Sequence, residues 1–270
     1  MKKLFFRFDF SPKIKKFLTT LHNTQEQAIL WIIRQLLPFL FPRHCPLCDK
    51  LLPYGSFIHE ECHRELPLIH SPVCMRCGKP VSSHTQEYCY DCRAFPKSFQ
   101  RGLFLYNKKT RPIMSAFKYQ NRRGLADFFC QELCRYRLSQ LRDLGADAVI
   151  PVPIHKNKYK KRGYNQAALL SSRLALTLNL PHYPDMLIRS VNTLPQKQFN
   201  PQARLNNLKK AFCFNSHYDK LLSQSTPFSV LLVDDIYTSG ATMEACTRIL
   251  LEAGISEVYI LSICIGIARD

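Results

Sequence analysis

The stretch from Val230 to Thr242 reads VLLVDDIYTSGAT, and it decides the fold. Its first four residues are apolar, as expected for a buried parallel strand, and they lead into Asp234 and Asp235. A turn rich in hydroxyl groups and glycine follows, and apolar residues then recur at helical spacing as far as Gly254. The segment from Val258 to Ile265 is apolar again. The pattern therefore predicts a strand, a turn, a helix and a second strand of a parallel α/β sheet.

The two acids follow the strand directly, at the edge of a parallel sheet where ligands bind. The turn after them would direct backbone N–H groups and hydroxyls at an anion on the helix N-terminus. Carboxylates accept hydrogen bonds from the neighbouring hydroxyls of a sugar, so the residues favour a sugar-phosphate site. The alternative is a strand that ends in a polar turn, with Asp234 as a loop acid and Asp235 as a helix cap. The candidate binding positions are Asp234, Asp235, Thr238, Ser239, Gly240, Ala241 and Thr242.

The chain has 270 residues, 46% of them hydrophobic, which is enough for one α/β domain and a smaller module. Lys and Arg number 38 against 20 Asp and Glu, and the net charge of +18 favours phosphate-rich partners such as nucleic acid or an anionic membrane surface. Residues Met1–Lys16 do not have the pattern of a signal peptide. The apolar segment Ala28–Phe41 is too short to span a bilayer and predicts a docked helix. We therefore expect a cytoplasmic protein without a membrane span.

Seven of the twelve cysteines lie between Cys45 and Cys92, mostly in C-x-x-C pairs. This is the spacing of metal ligands in a reducing compartment, and thiolates favour zinc over harder ions. Each site has four protein ligands and no open position, so both are predicted to be structural. The predicted first set is Cys45, Cys48, His59 and Cys62, and the predicted second set is Cys74, Cys77, Cys89 and Cys92.

The first site has only three cysteines, and His44 and His63 compete with His59 for the fourth place. A degenerate site without metal is the alternative, and an exchange of ligands between the two halves stays open. The remaining cysteines stand singly in helical or strand patterns and are expected to be buried small apolar residues. They are Cys130, Cys134, Cys213, Cys246 and Cys264.

Three segments are basic and free of acids: Lys97–Arg123, Lys156–Arg162 and Asn192–Phe212. The first interleaves eight cations with aromatic residues, as single-stranded nucleic acid requires, although composition alone slightly favours a solvated basic face with ordinary core aromatics. The second follows an apolar strand and suits a clamp for pyrophosphate or nucleic acid. The third is expected to be a mobile loop over the site. The interleaved rings are Phe99, Phe104, Tyr106, Phe117 and Tyr119.

Three motifs occur in a fixed order after the cysteine pairs: RGYNQA from Arg162, NTLPQKQFNPQARLNNLKKAF from Asn192, and VDDIYTSGAT from Val233. The last closely resembles the loop that binds phosphoribosyl pyrophosphate (PRPP) in type I phosphoribosyltransferases. Tyr237 departs from the aliphatic residue usual there, but a tyrosine is expected in the ComF-like branch. From about Leu37 onward the chain resembles the ComF family (ComFC/GntX-like proteins), which is linked to bacterial natural competence.

This resemblance implies that the acid pair binds ribose hydroxyls and that Thr238–Thr242 bind the 5′-phosphate. It also implies that Arg162, Asn165, Gln196, Arg204 and Asn207 lie around the site. His59 departs from the family's cysteine. The candidate contacts to phosphate or nucleic acid are Lys158, Lys160, Lys161, Arg162, Asn165 and Arg204.

The predicted fold class is α/β, with a type I phosphoribosyltransferase-like parallel sheet and an N-terminal zinc-ribbon-like module. We expect a basic segment and helix over residues 1–43, the zinc module over 44–95 and the phosphoribosyltransferase-like domain over 96–270. The predicted function is the handling of single-stranded DNA during natural transformation, with PRPP or a related ribose phosphate as a ligand and other competence proteins as partners. The alternative is a PRPP-dependent transferase that uses Mg²⁺ and an unidentified acceptor, for which the sequence offers no evident general base.

Overall fold

The computed structural model describes residues 43–53, 55–94, 100–190, 211–224 and 227–266. The predicted helix at Ala28–Phe41 lies outside these residues. So do Gln196, Arg204, Asn207 and nearly all of the predicted loop. Within the described ranges, no helix is long and apolar enough to cross a membrane.

The described secondary structure alternates between helices and strands along most of the chain. The strands are β1 (Gln100–Leu105), β2 (Ala148–Pro151), β3 (Leu187–Arg189), β4 (Phe212–Phe214), β5 (Ser229–Tyr237) and β6 (Glu257–Ile265). The helices are α1 (Glu60–Arg64), α2 (Tyr90–Ala94), α3 (Thr110–Tyr119), α4 (Leu125–Asp143), α5 (Lys156–Arg162), α6 (Gln166–Leu178), α7 (Asp219–Gln224) and α8 (Ala241–Glu252), with a 3₁₀ turn at Ser216–Tyr218.

The main sheet has the order β1-β6-β5-β2, and all of its pairings are parallel. The apolar run Val230–Val233 lies in the second strand from one edge and is completely buried. Burial of each such side chain contributes roughly 1.5–3 kcal/mol. The helix α8 connects β5 to β6, the strand–helix–strand unit that the sequence predicts.

Local capping explains where the two helices after β2 begin and end. The side chain of Asn165 accepts a hydrogen bond from Ala167 N and so begins α6, which ends at Asn179 in the left-handed conformation. The basic run at 156–162 forms the helix α5, which ends at Gly163 with φ 76°. The short antiparallel pair β3–β4 stands apart from the main sheet and contacts α8 through β4.

The cysteine-rich module is joined to the edge of the sheet by backbone hydrogen bonds. Ile69 N donates to Leu103 O at 2.9 Å, and Leu105 N donates to Pro67 O at 2.9 Å. The segment between the two halves of the module thus pairs with the outer edge of β1. The predicted domain boundaries at 43/44 and 95/96 remain predictions.

The predicted fold class is confirmed, with differences at the ends of elements. Backbone pairing with β6 continues from Asp234 to Tyr237, so the acids lie inside the last part of β5 rather than beyond it. Helix α8 begins at Ala241, one residue before its expected start at Thr242. The cations at 156–162 are helical, because the sequence beyond Pro153 contains no further residue that breaks a helix before Gly163.

Candidate phosphate site and metal centres

The acid pair in β5 is held in two different environments. Asp235 is largely buried and forms an ion pair with Lys118, at 2.9 Å between Nζ and Oδ1. Asp234 is half-buried, and its Oδ1 accepts a hydrogen bond from Asp235 N at 2.8 Å. Burial, and then the neighbouring charge of Asp235, raises the pKa of Asp234 to about 7. The pair thus combines a carboxyl group in contact with a lysine and a carboxyl group whose pKa lies near neutral pH.

Cations from three separate elements surround this pair. Lys118 comes from the end of α3, Lys158 from α5 and Arg189 from the end of β3. Burial, and then the charges of Arg189, Arg162 and Lys118, lowers the pKa of Lys158. Arg189 lies in the field of Asp234, and its guanidinium stacks on Phe212 at 4.9 Å. Positive charge is therefore concentrated around two carboxylates, an arrangement suited to a ligand with both phosphates and hydroxyl groups.

The turn after β5 leads into the N-terminus of α8. Gly240 is the N-cap residue with φ 81°, a conformation that favours glycine, and a Cβ there would lie 2.5 Å from the hydroxyl of Tyr237. Helix hydrogen bonding starts when Glu244 N donates to Gly240 O at 2.9 Å. The preceding amides lie at the positive end of the helix dipole, as an anion site requires. The predicted contacts at Thr238, Ser239, Ala241 and Thr242 are compatible with this geometry and remain predictions.

The other predicted contact residues have different surroundings. Lys160 and Lys161 are exposed on α5. Arg162 donates to Gln166 Oε1 at 3.0 Å and stacks on the ring of Tyr119 at 5.0 Å. Both ends of the Asn165 side chain are engaged, because its oxygen caps α6 and its nitrogen donates to Val152 O at 3.0 Å. Asn165 therefore has a capping role in this structure, and the lysines remain the better candidates for phosphate contacts.

The aromatic residues of the first basic segment fall into two groups. Phe104 and Phe117 are core residues with 2% and 0% exposure, so the core interpretation is right for them. Tyr119 is 61% exposed and Tyr159 on α5 is 53% exposed, both on elements that carry the site's cations. The sequence pattern could not distinguish the buried rings from the exposed ones, because alternating aromatic and basic residues occur on both buried and exposed faces of helices.

The first metal cluster brings together the predicted set of Cys45, Cys48, His59 and Cys62, whose ligand atoms all lie within 4.8 Å of one another. His59 Nδ1 is 3.3 Å from Cys48 Sγ, and its Nε2 donates to Leu51 O at 2.9 Å. This second hydrogen bond fixes the tautomer that leaves Nδ1 available to a metal ion.

The competing histidines face other partners, so His59 is the histidine that lies beside the three cysteines of the first cluster. His44 Nδ1 lies 2.7 Å from Asp49 O, and His63 Nε2 lies 2.6 Å from Glu132 Oε2.

The second cluster is formed by Cys74, Cys77, Cys89 and Cys92, again within 4.8 Å of one another. The ligands are therefore not exchanged between the halves. Cys74, Cys77 and Cys92 are buried in the same hydrophobic cluster as Tyr237. Four soft donors at this separation fit tetrahedral zinc, which needs no open position in a structural site.

The remaining cysteines depart in part from the predicted burial. Cys130, Cys246 and Cys264 are buried, whereas Cys134 is half-buried and Cys213 is exposed. Cys130 and Cys134 are also not single, because they share one face of α4, and a hydrogen bond from Cys130 lowers the pKa of Cys134 to about 7. The sequence alone did not reveal this pair, because residues four apart are neighbours only if the segment between them is helical.

Sequence reasoning did not single out Lys118 or the contact of Tyr237 with the second cluster. Lys118 stood as one of eight cations in its segment, whereas Arg189 was expected near the loop as the first residue of the basic segment Arg189–Lys210. Tyr237 was noted only as a departure from the usual aliphatic residue. One signal in the sequence could have indicated this contact. A tyrosine at the end of a buried strand has a large ring that must pack against other core residues.

Taken together, the parallel sheet and the two cysteine-rich clusters define an α/β protein joined to a zinc-ribbon module. Residues 36–93 match the double zinc ribbon domain. Competence protein F of Haemophilus influenzae is 28% identical over 208 residues, covering 73% of this chain and 85% of that protein.

Two further relatives extend this match. Competence protein ComFC of Bacillus subtilis is 27% identical over 231 residues, covering 78% of this chain and 89% of that protein. DNA utilization protein YhgH of Escherichia coli K12 is 26% identical over 229 residues, covering 83% and 97%. These matches confirm the resemblance to the ComF family.

Among solved structures, the allosteric regulatory enzyme of purine biosynthesis aligns with 53% of this chain at 19% identity and a TM-score of 0.32. The aligned part is 25% of that enzyme, so the chain spans about a quarter of its length. A TM-score of 0.32 does not establish a shared fold with that enzyme.

Proposed function

We propose that this protein binds single-stranded DNA on the basic surface around the acid pair, and that the loop at 238–242 binds PRPP or a related ribose phosphate. The observation that carries the DNA part is the exposed ring of Tyr119 under the guanidinium of Arg162, beside the cations that surround Asp235. Single strands are bound by cations that meet phosphates and by rings on which bases stack. The names of the competence and DNA-utilisation relatives support the same assignment. The site of action would be the cytoplasm.

The charge part of this proposal is tested by the salt dependence of oligonucleotide binding, measured by fluorescence anisotropy with labelled dT20. The log–log slope is about 0.7 per neutralised phosphate, so five contacts give a slope near −3.5. Replacement of Lys158, Lys160 and Lys161 by Ala should flatten the slope by about two units. A control that replaces three exposed cations elsewhere, at Arg64, Arg142 and Lys220, should leave the slope within about half a unit of the wild type.

The stacking part is tested by Tyr119→Leu, which keeps an apolar side chain and removes the ring. Affinity for dT20 should fall about 10- to 100-fold at constant salt slope, because a stacked base contributes roughly 1–3 kcal/mol. Binding that does not depend on salt, or no binding at all, would refute the DNA assignment.

A second function is favoured by a separate observation, the acid pair beside the helix N-terminus. The chain would then be a PRPP-dependent transferase, with Mg²⁺ carried by the pyrophosphate of the substrate and supplying charge neutralisation there. Calorimetric titration with PRPP and Mg²⁺ should show binding that weakens at least about tenfold when both Asp234 and Asp235 become Asn. If the wild type does not bind PRPP, the transferase assignment fails while the DNA assignment stands on its own test.

The raised pKa of Asp234 makes a further prediction about stability. Its pKa is about 7 when folded against an ordinary value of 3.8, so the carboxyl ionises later in the folded protein as the pH rises. Folding is therefore penalised increasingly between these two values, and the full penalty is present above pH 7. Asp234→Asn removes the penalty and should raise the melting temperature by about 2–6 °C at pH 8, and by less at pH 5. The exposed Asp143→Asn should show no such pH-dependent gain.

A further inference from the structure

A cavity of about 270 Å³ lies between the start of β1 and the last two turns of α4. Its lining contains two arginines, one from each element, and none of the residues that surround the acid pair. The lining residues are Arg101, Arg137, Gln140, Leu141, Asp143 and Leu144. The cavity therefore combines two arginines with a largely apolar lining, and it is separate from the proposed phosphate loop.

Backbone carbonyl groups hold both guanidinium groups in place. Arg137 Nη2 donates to Ile69 O at 2.6 Å and its Nη1 to Tyr136 O at 3.1 Å. Arg101 Nη1 donates to Met75 O at 3.3 Å, in the turn between two ligands of the second metal cluster. These backbone carbonyl groups carry no net charge, and they fix the orientation of the two guanidinium groups. Fixed guanidinium groups lose little rotamer freedom when an anion binds.

The two cations also lie in each other's field. Burial lowers the pKa of Arg137, and burial followed by the charge of Arg137 lowers the pKa of Arg101. Both stay charged at neutral pH, because an arginine begins from so high a value. An anion placed against both groups would relieve this repulsion and form charge-assisted, forked hydrogen bonds.

The negative groups around the cavity limit the kind of ligand that fits. Asp143 is the carboxylate in the lining, and the last carbonyls of α4 carry the negative end of the helix dipole. On the far side, the sulfur atoms of Cys74 and Cys77 would carry negative charge with zinc bound and would then attract Arg101. An inorganic anion would form favourable contacts with the two arginines only. A ligand that adds hydroxyl or amino groups would also use Asp143 and Gln140, and its ring could cover Leu141 and Leu144.

We propose that this cavity binds a terminal phosphomonoester attached to a nucleoside, with the phosphate on Arg101 and Arg137. The volume is just below the range typical of small-molecule sites, which suits one nucleotide and excludes a longer segment. Two sources share this chemistry: a free mononucleotide and the 5′-phosphorylated end of a DNA strand. The assignment goes beyond the proposed function, because the basic surface near Asp235 binds internal phosphates and needs no free end.

The competing explanation is that Arg101 serves only to neutralise the thiolates of the second metal cluster. That role involves Arg101 alone, since Arg101 donates to Met75 O in the turn of the second cluster, whereas Arg137 donates to Ile69 O and Tyr136 O. Arg137 is therefore the residue to change. The matched control is Arg142→Gln, which removes the same charge from an exposed position on the same helix outside the lining.

The experiment uses the zinc-loaded full chain and calorimetric titration with deoxyadenosine 5′-monophosphate and, separately, with deoxyadenosine. The wild type should bind the monophosphate and not the nucleoside. Arg137→Gln should weaken this binding at least about tenfold, whereas Arg142→Gln should change it less than about twofold. Zinc content and melting temperature confirm that each variant is folded, and the milder Arg137→Lys, which keeps charge and loses the fork, should weaken binding by an intermediate factor.

A second arm separates the two sources of the phosphate. A dT12 strand with a 5′-phosphate should bind more tightly than unphosphorylated dT12 if strand ends enter the cavity, and equally if only free nucleotides do. Binding in the cavity should not depend on the basic surface. The Lys158/Lys160/Lys161→Ala variant should therefore still bind the monophosphate. The proposal is overturned if the wild type does not bind the monophosphate, or if Arg137→Gln and Arg142→Gln bind it equally.

Discussion

The two halves of the cysteine module contain equivalent clusters in unlike settings. In the first, Cys48 is exposed although Cys45 is buried. The neighbouring residues reach the domain through Leu47, Phe57 and Ile58, which pack against its core, and through the ion pair of Asp49 with Arg122 at 2.5 Å. In the second, three of the four ligands are buried, and they share a hydrophobic cluster with Tyr237 of β5. The first centre thus lies at the margin of one core cluster with part of its ligand set exposed, whereas most ligands of the second are themselves members of a core cluster. Loss of a metal ion should therefore have different consequences at the two centres.

The largest expected effect distinguishes Cys77→Ser from Cys48→Ser. Each should remove about one zinc ion per chain, because each breaks a four-ligand set. Cys77→Ser also leaves buried thiols without their metal ion, so it should lower the melting temperature by about 10 °C or more. Cys48→Ser should lower it by less than half as much. If calorimetric scans show the same fall in melting temperature for both variants, the two centres do not differ in their contribution to stability.

The next effect concerns the turn that follows β5. Burial, and then the charge of the Cys77 thiolate, raises the pKa of Tyr237, and its hydroxyl lies directly beneath Gly240. Tyr237→Leu should remove this support and speed hydrogen exchange of the amides at 238–243 by about tenfold. Tyr237→Phe keeps the ring and should change exchange much less. Cys77→Ser should loosen the same amides, and Cys48→Ser should leave them protected.

A smaller effect is expected from His59, the one imidazole among eight ligands. His59→Cys supplies another zinc donor and should retain the metal ion, whereas His59→Ala should release it. His59→Ala should cost about 2–5 °C in melting temperature, because this centre lies near the surface. His44→Ala is the matched control, and it should retain the full zinc content in elemental analysis. Loss of zinc from the His44→Ala control would indicate that His44, and not His59, is the fourth ligand.

The smallest effect is expected from Arg122→Gln, which removes the ion pair with Asp49. The arginine beside it lowers the pKa of Asp49, but the carboxylate is exposed and water screens the attraction. The melting temperature should fall by about 1 °C or less, with no change in zinc content. A larger fall would mean that the first centre depends on this pair and is less independent than its exposure indicates.

Much of this arrangement could be predicted from the sequence, because some patterns act locally. Four C-x-x-C-like pairs define both clusters, and the apolar run before Asp234 defines the central part of the sheet. What could not be predicted depends on residues far apart in the chain. The pairing of Lys118 with Asp235 joins positions 118 and 235, and no spacing rule connects them. The choice of His59 over its neighbours likewise required the carbonyl of Leu51 to be located.

The position of β6 between β1 and β5 has a consequence for how the chain folds as it is made. The strand that occupies the interior of the sheet is the last strand in sequence, so β1 and β5 cannot be joined until residues 257–265 have been synthesised. Until then the inner edge of β1 has no partner, and its outer edge is already covered by the segment at 67–69. The nascent chain must therefore keep an open strand edge while residues 106–256 are synthesised, a state that favours binding by chaperones.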